Sequence, residues 1–402
     1  MLGSSDRPLK IAIVGSGPSG FYAAEELLQS QHSLEVTMVE RLPVPYGLVR
    51  SGVAPDHPKL KQPILVYDRI GRSQGFHYFG NVHVDRDVSI DDLLETHHGV
   101  IFACGAEVDH KLGIPGESLS GSHSATQFVG WYNGHLDYCS LTFDLSQEVV
   151  AIVGQGNVAL DVARILAKSV DALRHTDIAE HALDALADSK IKEIHLFGRR
   201  GPAQARFTSQ ELGEMGHIPG CPAQVNPEDL VLGEASRVEA ADKMSRNIAK
   251  NLEIFRTFAS SAEPDAGRRC HFHFFRNPTR ILGRVRVESV RFAKTTLAGE
   301  PFKQVAKDTE DVEDFSCGLV FRSIGYRGTP IKGLPFDASR GVLRHCDGRL
   351  VHESGKLLYG LYAAGWIKRG ANGIIGTNRA DSLATVGTLF SDLPHLDQRA
   401  KP

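Results

Sequence analysis

Two glycine runs, one beginning at residue 15 and the other at residue 154, carry the residues best suited to chemistry. Gly15-Ser16-Gly17-Pro18-Ser19-Gly20 reads G-x-G-x-x-G. Between a strand and a helix, its first glycine permits a tight turn. The second lets the backbone approach a pyrophosphate, and the third lets helix and strand pack closely. The helix then presents free N–H groups and its positive dipole end to the phosphates. Glu40 ends the next apolar run, twenty residues after Gly20. An acid at that place binds a ribose hydroxyl. A chance glycine-rich turn would explain the spacing but not the strand, helix and acid around it.

The second run, Gly154-Gln155-Gly156-Asn157-Val158-Ala159, repeats the design as G-x-G-x-x-A. Its following strand ends in Gly198-Arg199-Arg200 rather than in an acid. An acid would repel a 2′-phosphate, whereas two guanidiniums bind one bidentately, so this site selects NADPH over NADH. The competing reading is a solvated arginine pair on a surface loop. The acid-ending site suits a dinucleotide without a 2′-phosphate, such as FAD. Together the two sites imply hydride transfer from nicotinamide to flavin, with the protein supplying orientation and excluding water.

The elements that position these residues can be read from apolar patterning. Residues 10–14, 35–40 and 99–103 read as strands and 18–30 as a helix, with a Gly/Pro-rich loop at 43–58. A second βαβ unit runs from a strand at 149–153 through a helix from 157 to a strand at 191–198, with extra helix at 178–188. Residues 270–275 and 284–293 read as paired strands, and 317–325 as a further strand. The chain closes with a strand at 357–365, a Gly-rich turn at 370–376 and a helix at 381–391. The fold class is therefore α/β.

Bulk properties set limits. The 402 residues are too many for one ordinary core. Net charge is −3, so no global basic field favours nucleic acid. No apolar stretch is long enough for a membrane span. The first ten residues leave no room for a signal or transit segment, which favours a cytoplasmic protein. The six cysteines lie at least 29 residues apart, so there is no redox dithiol, local metal motif or cluster motif. No metal site is expected.

Beyond the glycine runs, several segments resemble adrenodoxin-reductase-type ferredoxin–NADP⁺ reductases over nearly the whole chain. They are residues 14–27, VPYGLVRSGVAPDHP at 44–58, FVGWYN at 128–133, 153–166, GRRGP at 198–202, SIGYRG at 323–328 and GWIKRGANGIIGTN at 365–378. The resemblance implies two Rossmann-like domains with three-layer β/β/α and parallel-sheet elements. The FAD domain would be discontinuous (1–108 and 326–402), with an NADP domain (109–325) inserted. Ser19, Glu40, Leu48 and Val84 would line the FAD site beside Gly15, Gly17 and Gly20. Trp366, Gly373, Ile374 and Ile375 would reach the flavin from the C-terminal part. Gln155, Gly156, Asn157 and Val158 would hold NADP phosphates, with Arg199 and Arg200 on the 2′-phosphate. Glu211 and Gly373 would contact NADP near the flavin.

His57 and Glu211 are the catalytic candidates that the resemblance supplies. His57 would manage protons or nicotinamide position. As a bare loop histidine between Pro55 and Pro58 it could equally be structural. Asp161 reads as a structural partner on its helix. Trp366 could belong to the core, but it follows Gly365, where many flavoproteins carry Asp.

The implied reaction takes hydride from NADPH to FAD, then single electrons to a [2Fe–2S] adrenodoxin-type or other ferredoxin. The expected protein is a monomer, bacterial and cytoplasmic, with a mature mitochondrial-matrix form as the alternative. Departures from the family fall at Gln210 and Gly213, where animal members are more basic, with Arg206 a compensating cation. Asn372 and Ala371 stand where Thr and Pro are common. A disulfide reductase would need a cysteine pair beside the flavin, and a glutamate-synthase-like input subunit would need cluster cysteines. An NADPH-dependent flavin monooxygenase and a redox-sensing flavoprotein without turnover remain as alternatives.

Overall fold

The computed structural model describes residues 2–261 and 266–397. They form two compact units. One runs through Val53 and includes His57–His110 and the chain from Gly325; the other comprises Ala54–Asp56 and Lys111–Ile324.

In the first unit the strand Leu9–Val14 is paired in parallel with Leu34–Glu40 on one side and Gly99–Phe102 on the other. Five of its six residues are buried, which is why an unbroken apolar run can form it. The seven-stranded sheet runs 345–346, 349–351, 357–363, 99–102, 9–14, 34–40, 76–80. The strand Leu357–Ala363 thus returns to the N-terminal sheet, parallel to Gly99–Phe102. The helix Pro18–Leu28 starts on a proline, whose fixed φ and missing N–H suit a first turn. It buries Phe21, Ala24 and Leu27, and Phe21 stacks on Tyr67 at 5.0 Å.

In the second unit six parallel strands run 122–124, 319–322, 149–153, 193–197, 269–273, 223–225. The helix Asn157–Ala167 is buried from Ala159 onward. Phe128, Trp131 and Tyr132 pack with Phe143 and Phe321 in the core. The segment FVGWYN is therefore packing, and loss of a ring such as that of Phe128 would cost ~3–5 kcal/mol. Three antiparallel strands, 276–282, 289–298 and 305–316, form a second sheet. Its Phe292 and Phe315 meet Phe197 at 4.2 and 5.0 Å.

Three expectations are corrected. Residues 270–275 do not pair with 284–293. The strand Arg269–His273 lies in the parallel sheet, and the hairpin is Arg276–Leu282 with Ser289–Ala298. A single sharp bend near Phe275, at φ +55°, separates the two strands, and nothing in the apolar pattern marks it. The strand Val305–Ser316 was missed because half of it is charged and most of it is exposed. Its acids are instead matched across the ladder, Asp311 to Lys294 and Asp314 to Arg291. The last long helix begins at Ile375, inside the segment read as a turn.

Candidate nucleotide sites

Gly15 and Gly154 stand at φ +105° and +150°. A Cβ on them would come within 2.6 Å of Ala103 O and 2.0 Å of Ser323 O, so only glycine lets these turns close. Gly20 meets Gly15 so tightly that a Cβ would lie 2.2 Å from its carbonyl oxygen. Over Gly17 and Gly156, in contrast, an added Cβ would meet nothing. These two glycines are the N-caps of their helices, and neither helix has a side-chain cap. Open space above uncapped N–H groups is what a pyrophosphate requires.

The acid at the first site braces the turn. Glu40 Oε2 accepts from Ser16 N at 2.9 Å and Ser16 Oγ at 2.7 Å, and Oε1 accepts from Leu42 N at 3.0 Å. A carboxylate has about four acceptor positions, so one remains for a ribose hydroxyl. Tyr46 N donates to Ser16 O at 2.9 Å and brings the loop before Leu48 against the turn. Leu48 opens the short helix Leu48–Ser51, and Val84 is buried with Val14 and Val39.

The C-terminal segment joins the same site. Ser19 Oγ donates to Asn378 Oδ1 at 3.2 Å, and Ser382 Oγ to Ser19 O at 2.9 Å. Trp366 opens the helix Trp366–Arg369, and its indole donates to Asn372 O at 3.1 Å. Gly373 follows at φ +81°, and Ile374 is 73% exposed, an apolar side chain left for something to cover. Ile375 begins the long helix. His57 is half-buried at the start of the turn Pro58–Lys61.

At the second site the arginine turn is held by its backbone. Thr295 Oγ1 donates to Arg199 O at 2.7 Å, and Phe275 N to Arg200 O at 3.2 Å. Arg206 joins them, because its N–H donates to Gln155 O at 2.8 Å beside Gly156. Burial, then Arg206, then Arg199, lower the pKa of Arg200, so three guanidiniums share one neighbourhood. Glu239 is the acid that opposes them. Its oxygens are already taken by Phe302 N, Gln304 Nε2 and Gln204 Nε2 at 2.6, 2.8 and 2.6 Å. Among the described residues none of the three arginines has a salt bridge. Sequence reading missed how close Arg206 comes; only the backbone bond to Gln155 reveals it.

Asn157 is the first residue of its helix. Its side chain accepts from Thr208 N at 2.9 Å and pins the 205–208 loop, and its backbone N–H belongs to the uncapped first turn. Val158 is half-buried beside it. Thr208 caps the helix Ser209–Met215, which carries Glu211. Glu211 Oε2 is buried and has no hydrogen-bond partner among the described residues. Burial and the nearby carboxylate of Asp161 push its pKa up to about 7. Asp161 itself bonds Arg164 at 2.7 Å, and Arg164 also clasps Asp56 at 2.6 and 3.0 Å. Burial works against the Asp56 carboxylate, but Arg164 and Lys168 more than reverse this and hold its pKa well below the usual range.

The family pattern described as pyridine nucleotide-disulphide oxidoreductase matches residues 9–196. The NADPH:adrenodoxin oxidoreductase of Arabidopsis thaliana is 44% identical, over 97% of this chain and 83% of its own. The NADPH-ferredoxin reductase FprA of Mycobacterium tuberculosis is 42% identical, over 98% and 86%. The chain belongs to the adrenodoxin reductase/NADPH-ferredoxin reductase family. The solved structure of FprA in complex with NADPH superposes with a TM-score of 0.92 at 41% identity, covering 98% of this chain and 88% of that one. The family's paired Rossmann-like folds account for the parallel strands at the heart of the two large sheets. Among the described residues no helix is long and apolar enough to cross a membrane.

Proposed function

We propose that this family member is an FAD-dependent NADPH:ferredoxin oxidoreductase. FAD belongs in the unit containing Gly15, and NADPH in the unit containing Gly154. The observation that carries the reading is the difference between the two strand ends. One carboxylate with a spare acceptor follows the first fingerprint, and three arginines without a salt bridge follow the second.

Bound FAD supplies the conversion of two-electron input into one-electron output. The chain's own residues bind and orient. The first-turn N–H groups after Gly17 and Gly156 take the two pyrophosphates. Glu40 selects an unphosphorylated ribose by leaving no room for a second anion. Arg199, Arg200 and Arg206 neutralise the 2′-phosphate. Glu211, half-protonated near pH 7, can donate a hydrogen bond to an amide oxygen such as that of the nicotinamide carboxamide. Trp366, Gly373, Ile374 and Ile375 form the C-terminal wall of the flavin site, and His57 positions a proton near it.

The electron acceptor is an iron–sulfur ferredoxin, a reading supported by relatives of 42–44% identity named as adrenodoxin and ferredoxin reductases. The proposal includes a monomer of the bacterial cytoplasm, which light scattering would report near 43.8 kDa. The test is NADPH-driven reduction of cytochrome c with and without added ferredoxin. Ferredoxin-dependent turnover is expected. NADPH oxidation that responds to an organic substrate and oxygen, and not to ferredoxin, would identify a monooxygenase. A flavin that NADPH does not bleach would identify a sensor.

A further inference from the structure

The strands Glu193–Phe197 and Arg269–His273 pair in parallel, with Arg269 beside Glu193 and His271 beside His195. Strand alternation sends Ile194, Leu196, Cys270 and Phe272 into the core, each no more than 2% exposed. The other face carries Glu193, His195, His271 and His273. Three imidazoles and a carboxylate on adjacent interior strands have no place in the nucleotide chemistry above. They are also closely ordered. The rings of His195 and His271 stack at 4.4 Å and 10°. His195 Nδ1 lies 2.9 Å from His273 Nε2, and His271 Nε2 lies 2.7 Å from Glu193 Oε2.

We infer that Glu193, His195 and His271 form a binding site for a divalent transition-metal ion of the zinc class. One donor atom from each of the three lies within 4.8 Å of the others. Closing this set to the ~3.4 Å donor spacing of a tetrahedral zinc site takes rotation of side chains, not movement of strands. Two imidazoles and a carboxylate are the donors that borderline ions prefer over magnesium or calcium. His273 holds the second nitrogen of His195 and fixes its tautomer, as outer partners of metal-bound histidines do. The ion takes the place of the proton between His271 Nε2 and Glu193 Oε2. Glu193 Oε1 stays with Arg269 at 3.2 Å. The cationic neighbour lowers affinity, so micromolar rather than picomolar binding is expected. The side chains of Glu193 and His271 are 29% and 23% exposed, which gives the ion an entry path and leaves its fourth position to water.

The test uses FAD-loaded enzyme stripped of metal and titrated calorimetrically with zinc chloride. Wild type should take up one equivalent with micromolar affinity. Glu193→Gln should bind about tenfold more weakly, and the His195→Ala/His271→Ala pair should bind none in the same range. No binding by wild type, or unchanged binding by the double variant, overturns the site. If the double variant does not fold, zinc-edge X-ray absorption on the one-to-one wild-type complex decides. Two imidazole shells with oxygen support the assignment. Sulfur ligation, or fewer than two imidazoles, overturns it.

Discussion

At the residue scale, the proposed selectivity of the second nucleotide site rests on three guanidiniums that make no salt bridge among the described residues. Each charge-assisted hydrogen bond to phosphate is worth about 1.5–3 kcal/mol, so each lost arginine should cost tenfold or more. Arg199→Ala with Arg200→Ala should therefore raise the KM for NADPH at least a hundredfold and leave that for NADH nearly unchanged. Arg206→Ala alone should raise the NADPH value about tenfold. Equal effects on both coenzymes would show that the cluster does not read the 2′-phosphate. Glu211 makes a prediction of its own. Its native pKa of about 7 exceeds the ordinary 4.5, so the folded protein binds the proton more tightly than the unfolded chain. Stability tied to this group is complete below pH 4.5 and lost as pH rises through 7. Glu211→Gln should thus raise Tm by about 2 °C or more at pH 8 and change it little at pH 4.5. A variant less stable than wild type at pH 8 would contradict the assignment.

At the scale of elements, the two fingerprints were legible because glycine, apolar strand and helix all had to agree within thirty residues. Glu40 and Arg199–Arg200 could be found by counting. Arg206, Thr208 and the Asn157 link between them could not, because a loop returns them to the turn through backbone bonds that leave no periodic trace. The strand Val305–Ser316 was hidden for the opposite reason. An edge strand with a solvent face needs only matched charges, and its sequence looks like a polar loop. The turns themselves tolerate no side chain. Gly154→Ala forces a Cβ against Ser323 O at φ +150°, and should lower stability by ~2–4 kcal/mol and abolish NADP⁺ binding. A variant with wild-type Tm and affinity would refute this. The buried ionic cluster is another element-scale device. Arg164→Met takes from Asp161 its partner at 2.7 Å and leaves Asp56 with Lys168 alone, and should cost ~3–5 kcal/mol in urea unfolding. The Asp56 contribution is present above pH 3.8 and fades as pH falls below it, so the gap between wild type and Asp56→Asn should narrow in acid.

For the whole molecule, each unit has its own sheet and its own apolar core. Independent cores predict separable unfolding steps. NADP⁺ at 100 times its Kd adds ~2.7 kcal/mol to whatever binds it. It should raise only the step of the Lys111–Ile324 unit. A single transition, moving as one with NADP⁺, would show that the units melt together.

The chain has two tryptophans, and the fold places one in each unit: Trp131 among Phe128 and Phe143, and Trp366 with its indole tied to a loop carbonyl. An indole in a dry aromatic nest emits toward the blue, while a half-exposed, hydrogen-bonded one emits toward the red. The molecule therefore contains two optical probes of distinct colour. Heating or titrating it in a fluorimeter resolves the fate of each half without attaching a label.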